Sequence, residues 1–477
     1  MHLDLRFLTS VLSHDALVSP VMPEEIIFAL DSRTLQHGEI FVALQGQQVD
    51  GHAFVRDALK RGAGGLMIKH TYTHLLDEIS AAQRAQLLII VVPDPYEAVL
   101  KLASAWRDQW KKPVVAITGS VGKTSTKELV AAITQQAGLH YYVSRGNQNV
   151  LISVAINMLQ VKAKHDGAIF EIATSRRGDV RAMAELVRPT VAAVTGIGHQ
   201  HMDEFGSLAE IAFEKRAIFG TFAEDNIGVI HGDQPLLTGV SYKHPVLRVG
   251  LKTINQIQGR KIRIEENEIQ FVLKIYDEKF PITLTHAHEG RVMNVLIAAG
   301  ITYLLGIEPA MIARAVQQPL QIPGRFEYCT MQQGRGTLIN DTYNANPESV
   351  KAALLAFEKI KVDAATIKIA VLGDMRGLGQ NASFWHRQIG RFLRKVPSLQ
   401  RLILVGTEVA WIKKTAPMKV QIDLVPTWQE AVLLLEQLMD RQVLVLVKGS
   451  RTLHLENIVN SFVHHAQAAE RSRIWHQ

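Results

Sequence analysis

The sequence has one cysteine, no long apolar run and no tract of basic residues, and each absence excludes a class of protein. Because Cys329 is the single cysteine among 477 residues, an internal disulfide framework is excluded and a reducing compartment is expected. No segment approaches the roughly 18–20 uninterrupted apolar residues of a membrane-spanning helix. The N-terminal segment contains acidic residues and lacks a long apolar core, so we expect no signal peptide. These observations predict a cytoplasmic protein without a membrane span.

Basic residues exceed acidic ones, which gives a formal net charge of +7 at pH 7. An anionic ligand, such as a nucleotide or a phosphate-bearing substrate, is one explanation of this charge, and a solvated basic surface is the other. The lysines and arginines form no run beyond short pairs and do not alternate with aromatic residues. Nucleic-acid binding is therefore not indicated.

The chain is too long for a single hydrophobic core, which predicts two or three domains. Proline-rich breaks at 93–95 and 319–324 divide it. Short apolar runs alternate with helical patterns, which favours an α/β fold with mainly parallel sheets. We predict a small mixed α/β domain over 1–94, a central ATPase-like domain over 95–318 and a Rossmann-like domain over 319–477.

The most informative motif is a glycine loop, TGSVGKTS from Thr118 onward, between a predicted strand and a predicted helix. Its glycines let backbone N–H groups surround an anion, and the helix N-terminus adds its positive dipole end. The motif predicts that Lys123 binds the β- and γ-phosphates of ATP and that the Thr124 hydroxyl binds Mg²⁺. A structural glycine turn is the alternative. The predicted nucleotide-binding residues of this loop are Gly119, Ser120, Val121, Gly122, Lys123, Thr124 and Ser125.

Two further strand ends carry groups that could bind a metal ion. Glu171 ends an apolar strand, where a carboxylate needs a partner, and a metal ion or an ion pair with Arg176 or Arg177 would serve equally. His199 and His201 lie in a loop that also holds two acidic residues. No cysteine or third spaced histidine supports a transition-metal site, so a Mg²⁺-nucleotide site fits better, with surface histidines as the alternative.

The third predicted domain opens with an arginine and a loop dense in hydrogen-bonding side chains. Arg325 offers planar donors that suit a phosphoryl group. The block DTYNANP begins at Asp341, directly after a predicted strand. Asparagine and aspartate in such a position often do no more than stabilise a turn.

Together these segments resemble the Mur ligases of peptidoglycan synthesis over nearly the whole chain. The similar motifs are DSR at 31–33, GEIFVAL at 38–44, DGH at 50–52, TGSVGKTSTKE, the block over 198–219, DTYNANPESVKAAL, VLGDM and VKGSR. The DTYNANP block is most similar to the branch of the family that adds D-alanyl-D-alanine. The resemblance implies an enzyme, an ATP- and Mg²⁺-dependent ligase that joins this dipeptide to UDP-N-acetylmuramoyl-tripeptide through an acyl phosphate. It implies small-molecule partners and a monomer.

The resemblance also implies a role for each matching residue. The implied catalytic residues are Lys123, His201, Lys215 and Arg325. The nucleotide contacts beyond the glycine loop would be Asn294, Arg325, Asp341, Asn344 and Asn346. The metal ligands would be Thr124, Glu171, His201 and Lys215, the last as a carbamate. Without the resemblance, nothing in the sequence around Lys215 distinguishes it from an ordinary solvated lysine. The substrate contacts would be Ser32, Arg33, Asp50, His52, Asn147, Lys448, Ser450 and Arg451.

The sequence departs from the family pattern at residues 148–155, Gly196, 288–290 and Gly377. At the last of these positions the family has glutamate. These departures leave open a homologue that binds nucleotide or UDP-sugar without catalysis. A ligase with another substrate, similar to folylpolyglutamate synthetase, is the other alternative. The DSR, DGH and DTYNANP motifs argue against that alternative.

Overall fold

A computed structural model describes most of the chain and shows a mixed α/β protein. The described residues are 3–12, 16–19, 21, 23, 25–46, 49–146, 148–265, 268–285, 289–334, 336–438 and 441–463. Within them the strands form three sheets, in which parallel neighbours predominate. The predicted α/β class with three sheet-containing regions is confirmed. Among the described residues, no helix is both long and apolar enough to cross a membrane.

The N-terminal region holds a sheet in the order β1-β5-β4-β3-β2, in which only the β1–β5 pair is antiparallel. Its elements are α1 (Leu5–Leu12), β1 (Leu17–Val18), β2 (Phe28–Ala29), β3 (Ile40–Val42), α2 (Val55–Lys60), β4 (Gly65–Lys69), α3 (Ala81–Arg84) and β5 (Leu88–Val92).

The central region holds a nine-stranded sheet in the order β14-β13-β12-β11-β10-β9-β6-β8-β7, parallel from β12 to β7. Its helices are α4 (Pro95–Gln109), α5 (Lys123–Gln136), α6 (Leu151–Leu159), α7 (Asp179–Val187), α8 (Met202–Phe205), α9 (Leu208–Arg216), α10 (Pro235–Thr238), α11 (Glu289–Leu304) and α12 (Pro309–Ala315). Its strands are β6 (Val114–Thr118), β7 (Tyr141–Val143), β8 (Gly167–Glu171), β9 (Val191–Val194), β10 (Ile227–His231), β11 (Val246–Gly250), β12 (Ile257–Ile264), β13 (Glu268–Ile275) and β14 (Glu278–Thr285).

The C-terminal region holds a six-stranded sheet in the order β15-β16-β20-β17-β18-β19, parallel except for β15–β16. Its strands are β15 (Glu327–Thr330), β16 (Gly336–Asn340), β17 (Ile367–Gly373), β18 (Arg401–Val405), β19 (Gln421–Val425) and β20 (Val443–Lys448). Its helices are α13 (Pro347–Lys359), α14 (Ala382–Phe392), α15 (Ala410–Lys413), α16 (Trp428–Glu436) and α17 (Glu456–Phe462).

The hydrophobic core joins the first two regions and leaves the third separate. One cluster of buried side chains contains Leu8 and Ile90 of the N-terminal region together with Trp106 and Val154 of the central region. The C-terminal sheet is covered on its two faces by clusters of its own. In each parallel sheet the chain leaves the carboxyl end of a strand in a loop, which is where α/β proteins bind ligands. The predicted functional motifs lie in these loops.

Candidate active site

The glycine loop has the backbone geometry of an anion cradle. The buried strand β6 runs into Gly119 (φ 150°) and Gly122 (φ 83°), and α5 begins directly afterwards at Lys123. A Cβ atom on Gly119 would lie 2.0 Å from Thr195 Oγ1, and one on Gly122 would lie 2.3 Å from Asn294 Oδ1. Both positions therefore require glycine for space as well as for backbone conformation. The helix N-terminus at this turn favours a negatively charged ligand.

Two polar side chains of the loop, the half-buried Lys123 and the buried Ser120, have few protein partners. Lys123 Nζ donates a hydrogen bond to the Gly119 carbonyl oxygen over 2.8 Å. Burial lowers the pKa of Lys123, and the nearby Glu171 carboxylate partly offsets this. Ser120 Oγ is buried and has no hydrogen-bond partner among the described residues. Since buried polar groups normally have partners, these groups fit a phosphate ligand.

Glu171 is a buried carboxylate with one unsatisfied oxygen. Its Oε1 accepts a hydrogen bond from Asn149 Nδ2 (2.9 Å), whereas its Oε2 has no partner among the described residues. Arg177 pairs with Glu210 at 2.5 Å, and no ion pair joins Glu171 to Arg176 or Arg177 in the described part of the chain. An orphaned buried carboxylate oxygen fits a cation.

Protein side chains alone do not assemble a metal site in the described residues. No group of three or more His, Cys, Asp or Glu there could hold an ion. Mg²⁺ commonly keeps several waters and binds through one or two carboxylates and the phosphates of a substrate. The single orphaned oxygen of Glu171 is compatible with that mode of binding.

His201 and Lys215 lie close enough to Lys123 for their charges to interact. Burial lowers the pKa of His201, and the charges of Lys215 and Lys123 lower it further. Lys215 is only 2% exposed, and its Nζ has no hydrogen bond or ion pair with another described residue. Its pKa lies well below the ordinary value because of burial and then the charge of Lys123, although Glu214 opposes this. A neutral, nucleophilic amine at this position suits carbamate formation.

The C-terminal region contributes Arg325 to the glycine loop. Its guanidinium lies 3.7 Å from the ring centroid of Tyr343, and its Nη2 donates a hydrogen bond to Thr124 Oγ1 over 3.0 Å. Thr124 itself is buried. The loop of the central sheet and the start of the C-terminal region therefore meet at one hydroxyl group.

The loop after β16 is held by a buried ion pair. Lys448 Nζ lies 2.8 Å from Asp341 Oδ2 and also donates to the Asn344 carbonyl oxygen. Asn346 is the N-cap of α13. Its Oδ1 accepts the Ser349 N–H, and the Ser349 hydroxyl accepts the Asn346 N–H in return, which forms a capping box. The Asn344 Oδ1 accepts the N–H of the next residue. The structural role that asparagine often has in turns thus applies to both amide oxygens.

These loops enclose a cleft of about 380 Å³ between the central and C-terminal sheets. The sequence-predicted residues that line it are Ser120, Val121, Gly122, Lys123, Ser125, Glu171, Asn294, Arg325, Asp341, Asn344, Asn346, Lys448 and Arg451. Gly119, Thr124, His201, Lys215 and Ser450 do not line it. Ser450 is buried and accepts the Arg376 N–H. Asn147 and residues 286–288 are outside the described residues.

The predicted substrate residues of the N-terminal region lie apart from this cleft. His52 is buried, its Nε2 accepts the Lys69 N–H and its Nδ1 lies 2.6 Å from Asp50 Oδ1, so a neutral ring donates from Nδ1. His52 and Lys69 line a second cavity of about 460 Å³. Ser32, Arg33 and Asp50 do not line it, and Arg33 instead pairs with Asp31 at 2.7 Å.

Several residues of the cleft were not singled out by the sequence, and three of them carry side chains that bear on the site. Asn149 donates a hydrogen bond to Glu171, Tyr343 stacks against Arg325, and Glu348, in the first turn of α13, lines the cleft. Tyr343 lies inside the DTYNANP block, so the signal for it was present. Asn149 lies in the segment over 148–155 that departs from the family pattern.

Comparison with known proteins matches the chain to one family along most of its length. Family models match residues 27–107 (Mur ligase family, catalytic domain), 117–302 (Mur ligase middle domain) and 324–451 (Mur ligase, glutamate ligase domain). A Bacillus subtilis relative named UDP-N-acetylmuramoyl-tripeptide–D-alanyl-D-alanine ligase is 30% identical over 455 residues, 94% of this chain and 95% of the relative. A Rickettsia prowazekii relative of the same name is 28% identical, over 91% of this chain and 94% of its own.

A solved structure of MurF from Acinetobacter baumannii has the same fold, with a TM-score of 0.79. It is 25% identical in sequence and covers 96% of this chain and 97% of its own. The three family models, two relatives that align over more than nine tenths of the chain and this structural match all indicate the same family. The chain belongs to the Mur ligase family.

Proposed function

We propose that this protein is an ATP-dependent ligase that joins D-alanyl-D-alanine to UDP-N-acetylmuramoyl-tripeptide. The products are the UDP-N-acetylmuramoyl-pentapeptide, ADP and phosphate, in the synthesis of peptidoglycan precursors. The observation that carries the proposal is the meeting of two half-sites in one cleft. The glycine loop of the central sheet and Arg325 of the C-terminal region converge at Thr124, where Arg325 Nη2 lies 3.0 Å from the hydroxyl. The names of full-length relatives support the choice of substrates.

In this proposal the glycine loop and Lys123 bind the ATP phosphates, and Arg325 binds the γ-phosphate from the opposite side. Asn294, Asp341, Asn344 and Asn346 flank the nucleotide. Two cations that approach the phosphoryl group from different sheets would position it and neutralise its charge, which is most of what catalysis of phosphoryl transfer requires.

Mg²⁺ would be held by Thr124, Glu171, His201 and a carbamate on Lys215, together with phosphate oxygens. The orphaned Glu171 oxygen and the low pKa of Lys215 support this assignment. When bound, Mg²⁺ would neutralise negative charge on the phosphates.

The chemistry then requires two displacements. The terminal carboxylate of the tripeptide attacks the γ-phosphorus of ATP, which gives an acyl phosphate and releases ADP. The amine of D-alanyl-D-alanine attacks the acyl carbon, and the tetrahedral intermediate collapses to the amide and phosphate. Lys448, Ser450 and Arg451 lie near the incoming dipeptide in this proposal, and closing of the cleft would exclude water from the acyl phosphate.

The N-terminal domain, residues 1–94, binds the UDP-sugar part of the substrate through Ser32, Arg33, Asp50 and His52, and Asn147 contacts the substrate. Residues 95–318 form the ATP-binding domain, and residues 319–477 form the domain that binds the dipeptide. We further propose that the protein is a cytoplasmic monomer.

Phosphate release from ATP and Mg²⁺ in the presence of UDP-N-acetylmuramoyl-tripeptide, with and without D-alanyl-D-alanine, tests the proposal. We expect release that requires both substrates. Release with a folate and glutamate instead would favour the folylpolyglutamate-synthetase alternative. Bound nucleotide without release in any mixture would contradict a ligase and favour the non-catalytic homologue.

A further inference from the structure

The loop that carries His201 is contacted by the C-terminal region at several points. We define the His201 loop as residues 197–206, which follow β9 and include α8. Its partners are a turn at 377–379, the residue Glu348 at the start of α13, and Trp385 on α14. None of these three belongs to the nucleotide-binding residues assigned above.

The first contact joins the two backbones. The Met202 N–H donates a hydrogen bond to the Gly377 carbonyl oxygen over 3.0 Å. Gly377 has φ 72° and Gly379 has φ 56°, a conformation that favours glycine. A Cβ atom on Gly379 would lie 3.1 Å from Asp203 Cα. The replacement of the family glutamate by Gly377 therefore occurs where the turn packs closely against the loop.

The second contact is a pair of side chains that crosses between the two sheets. His199 Nδ1 lies 2.5 Å from Glu348 Oε1, and the His199 ring lies 4.2 Å from the Trp385 ring. The Glu348 carboxylate also packs on the loop backbone, since a Cβ atom on Gly198 would lie 3.4 Å from its Oε2. Two consecutive positions of the loop, 198 and 199, thus lie against the C-terminal region.

The backbone of the loop is itself held in an uncommon conformation. His201 has φ 54°, in the left-handed region that few non-glycine residues occupy. Such a conformation persists where surrounding contacts determine it. The contacts on either side of His201 are those of His199 with Glu348 and of Met202 with Gly377.

We propose that these contacts form a clasp by which the C-terminal domain positions the His201 loop for the ligase reaction. His199 and Glu348 are positioning residues: they act through the loop that carries His201. The effect of the clasp on the ligase reaction rests on the proposed function, whereas its effect on the order of the His201 loop does not. The approach of the C-terminal domain that forms the cleft would then also order His201, the candidate metal-binding histidine.

Hydrogen–deuterium exchange of the full-length protein without substrates tests the structural consequence. We expect His199→Ala and Glu348→Ala each to raise exchange in residues 199–206 roughly threefold to tenfold, because the Met202 amide loses its partner more often. Exchange in β8 should not change, which shows that the variants remain folded. Glu185→Ala is the matched control, since it removes an ion pair with Arg181 (2.9 Å) within a single helix.

Steady-state kinetics test the consequence for the reaction. Glu348 lines the cleft and His199 does not, so agreement between the two variants separates the clasp from a direct contact with substrate. We expect kcat/KM for D-alanyl-D-alanine to fall roughly threefold to tenfold in each single variant. The double variant should show no further decrease, because both substitutions remove the same interaction. Additive effects in the double variant, or wild-type exchange in both single variants, would overturn the proposal. If the wild-type protein has no ligase activity, the proposed function fails while the exchange experiment still decides on the clasp.

Discussion

At the scale of single residues, Lys123, which lines the cleft, and Lys215, which does not, are two interacting amines with lowered pKa values. Burial lowers the pKa of both amines, the charge of Lys123 lowers that of Lys215 further, and the charge of Arg325 lowers that of Lys123. A site with two desolvated amines needs an anion, or the conversion of one amine to a neutral or anionic group. Polyphosphate near Lys123 and a carbamate on Lys215 would meet both needs.

Replacement of Lys123 by alanine removes the cation that is proposed to hold the ATP phosphates. We expect kcat for phosphate release to fall by about 10²- to 10³-fold or more, because loss of one positioned transition-state contact has an effect of this size. The exposed helix residue Lys101 provides the control. Wild-type turnover in Lys123→Ala would contradict the assigned role.

Replacement of Lys215 by methionine tests its low pKa through the pH dependence of stability. Between the low folded pKa and an unfolded pKa of about 10.4, the unfolded chain binds more protons, so wild-type stability rises with pH across this window. Below the folded pKa, Lys215 is charged in both states, and its burial lowers the wild-type free energy of unfolding by the full amount. This amount is about 1.4 kcal/mol for each unit between the folded and the unfolded pKa. Lys215→Met should therefore gain most over the wild type at the low end of the window, and the gain should vanish above about pH 10.4.

Urea unfolding of both proteins in CO₂-free buffer at several pH values measures this difference. Lys101→Met controls for the loss of an exposed lysine. A stability difference that is independent of pH would show that Lys215 does not titrate in this way. Bicarbonate should raise the ligase activity of the wild type, and that of Lys215→Met should stay low.

At the scale of elements, the strand–loop–helix unit at β6 and α5 was predictable because its sequence is locally consistent. An apolar run, glycines where the backbone is left-handed and a helical pattern all indicate one structure. The roles of Asn344 and Asn346 were less predictable. The same side chains suit a turn, a helix cap or a ligand contact, and the capping box at Asn346 appears only once α13 is in place.

Gly122 and Gly138 have similar positive φ angles, but only Gly122 is closely packed. Their alanine variants therefore distinguish the effect of backbone strain from that of a steric clash. Gly122→Ala introduces a Cβ atom 2.3 Å from Asn294 Oδ1, whereas Gly138 (φ 77°) has no atom within 4 Å of the corresponding position. We expect Gly138→Ala to cost about 1–2 kcal/mol in the free energy of unfolding and to leave nucleotide affinity unchanged. Gly122→Ala should lose nucleotide binding as well, measured by calorimetric titration with ATP. Equal affinities in both variants would contradict the proposed geometry of the loop.

At the scale of the whole molecule, the cores divide the chain unevenly. The N-terminal and central regions share the cluster around Trp106, while Phe357 belongs to a cluster of the C-terminal sheet. The C-terminal region contacts the rest at the cleft and at the His201 loop. Such an arrangement suits motion between the two parts.

Calorimetric unfolding should resolve two cooperative units. Trp106→Ala and Phe357→Ala each remove a fully buried aromatic side chain, at a cost of about 3–5 kcal/mol. We expect Trp106→Ala to lower the transition of the N-terminal and central regions alone, and Phe357→Ala to lower that of the C-terminal region alone. A single transition that both variants lower equally would show one cooperative unit.

Local sequence patterns were sufficient to predict the α/β class, the family, and the residues of the glycine loop and the DTYNANP block. These features depend on local patterns: hydrophobic periodicity, glycine where φ is positive, and short motifs that one strand end and its loop contain. Three contacts could be read only from the folded chain: Arg325 with Thr124, Arg177 with Glu210, and His199 with Glu348. The folded chain also showed that Glu171 Oε2 has no partner among the described residues. Each of these contacts joins residues distant in sequence, and their distances depend on how the sheets pack, which no local pattern encodes.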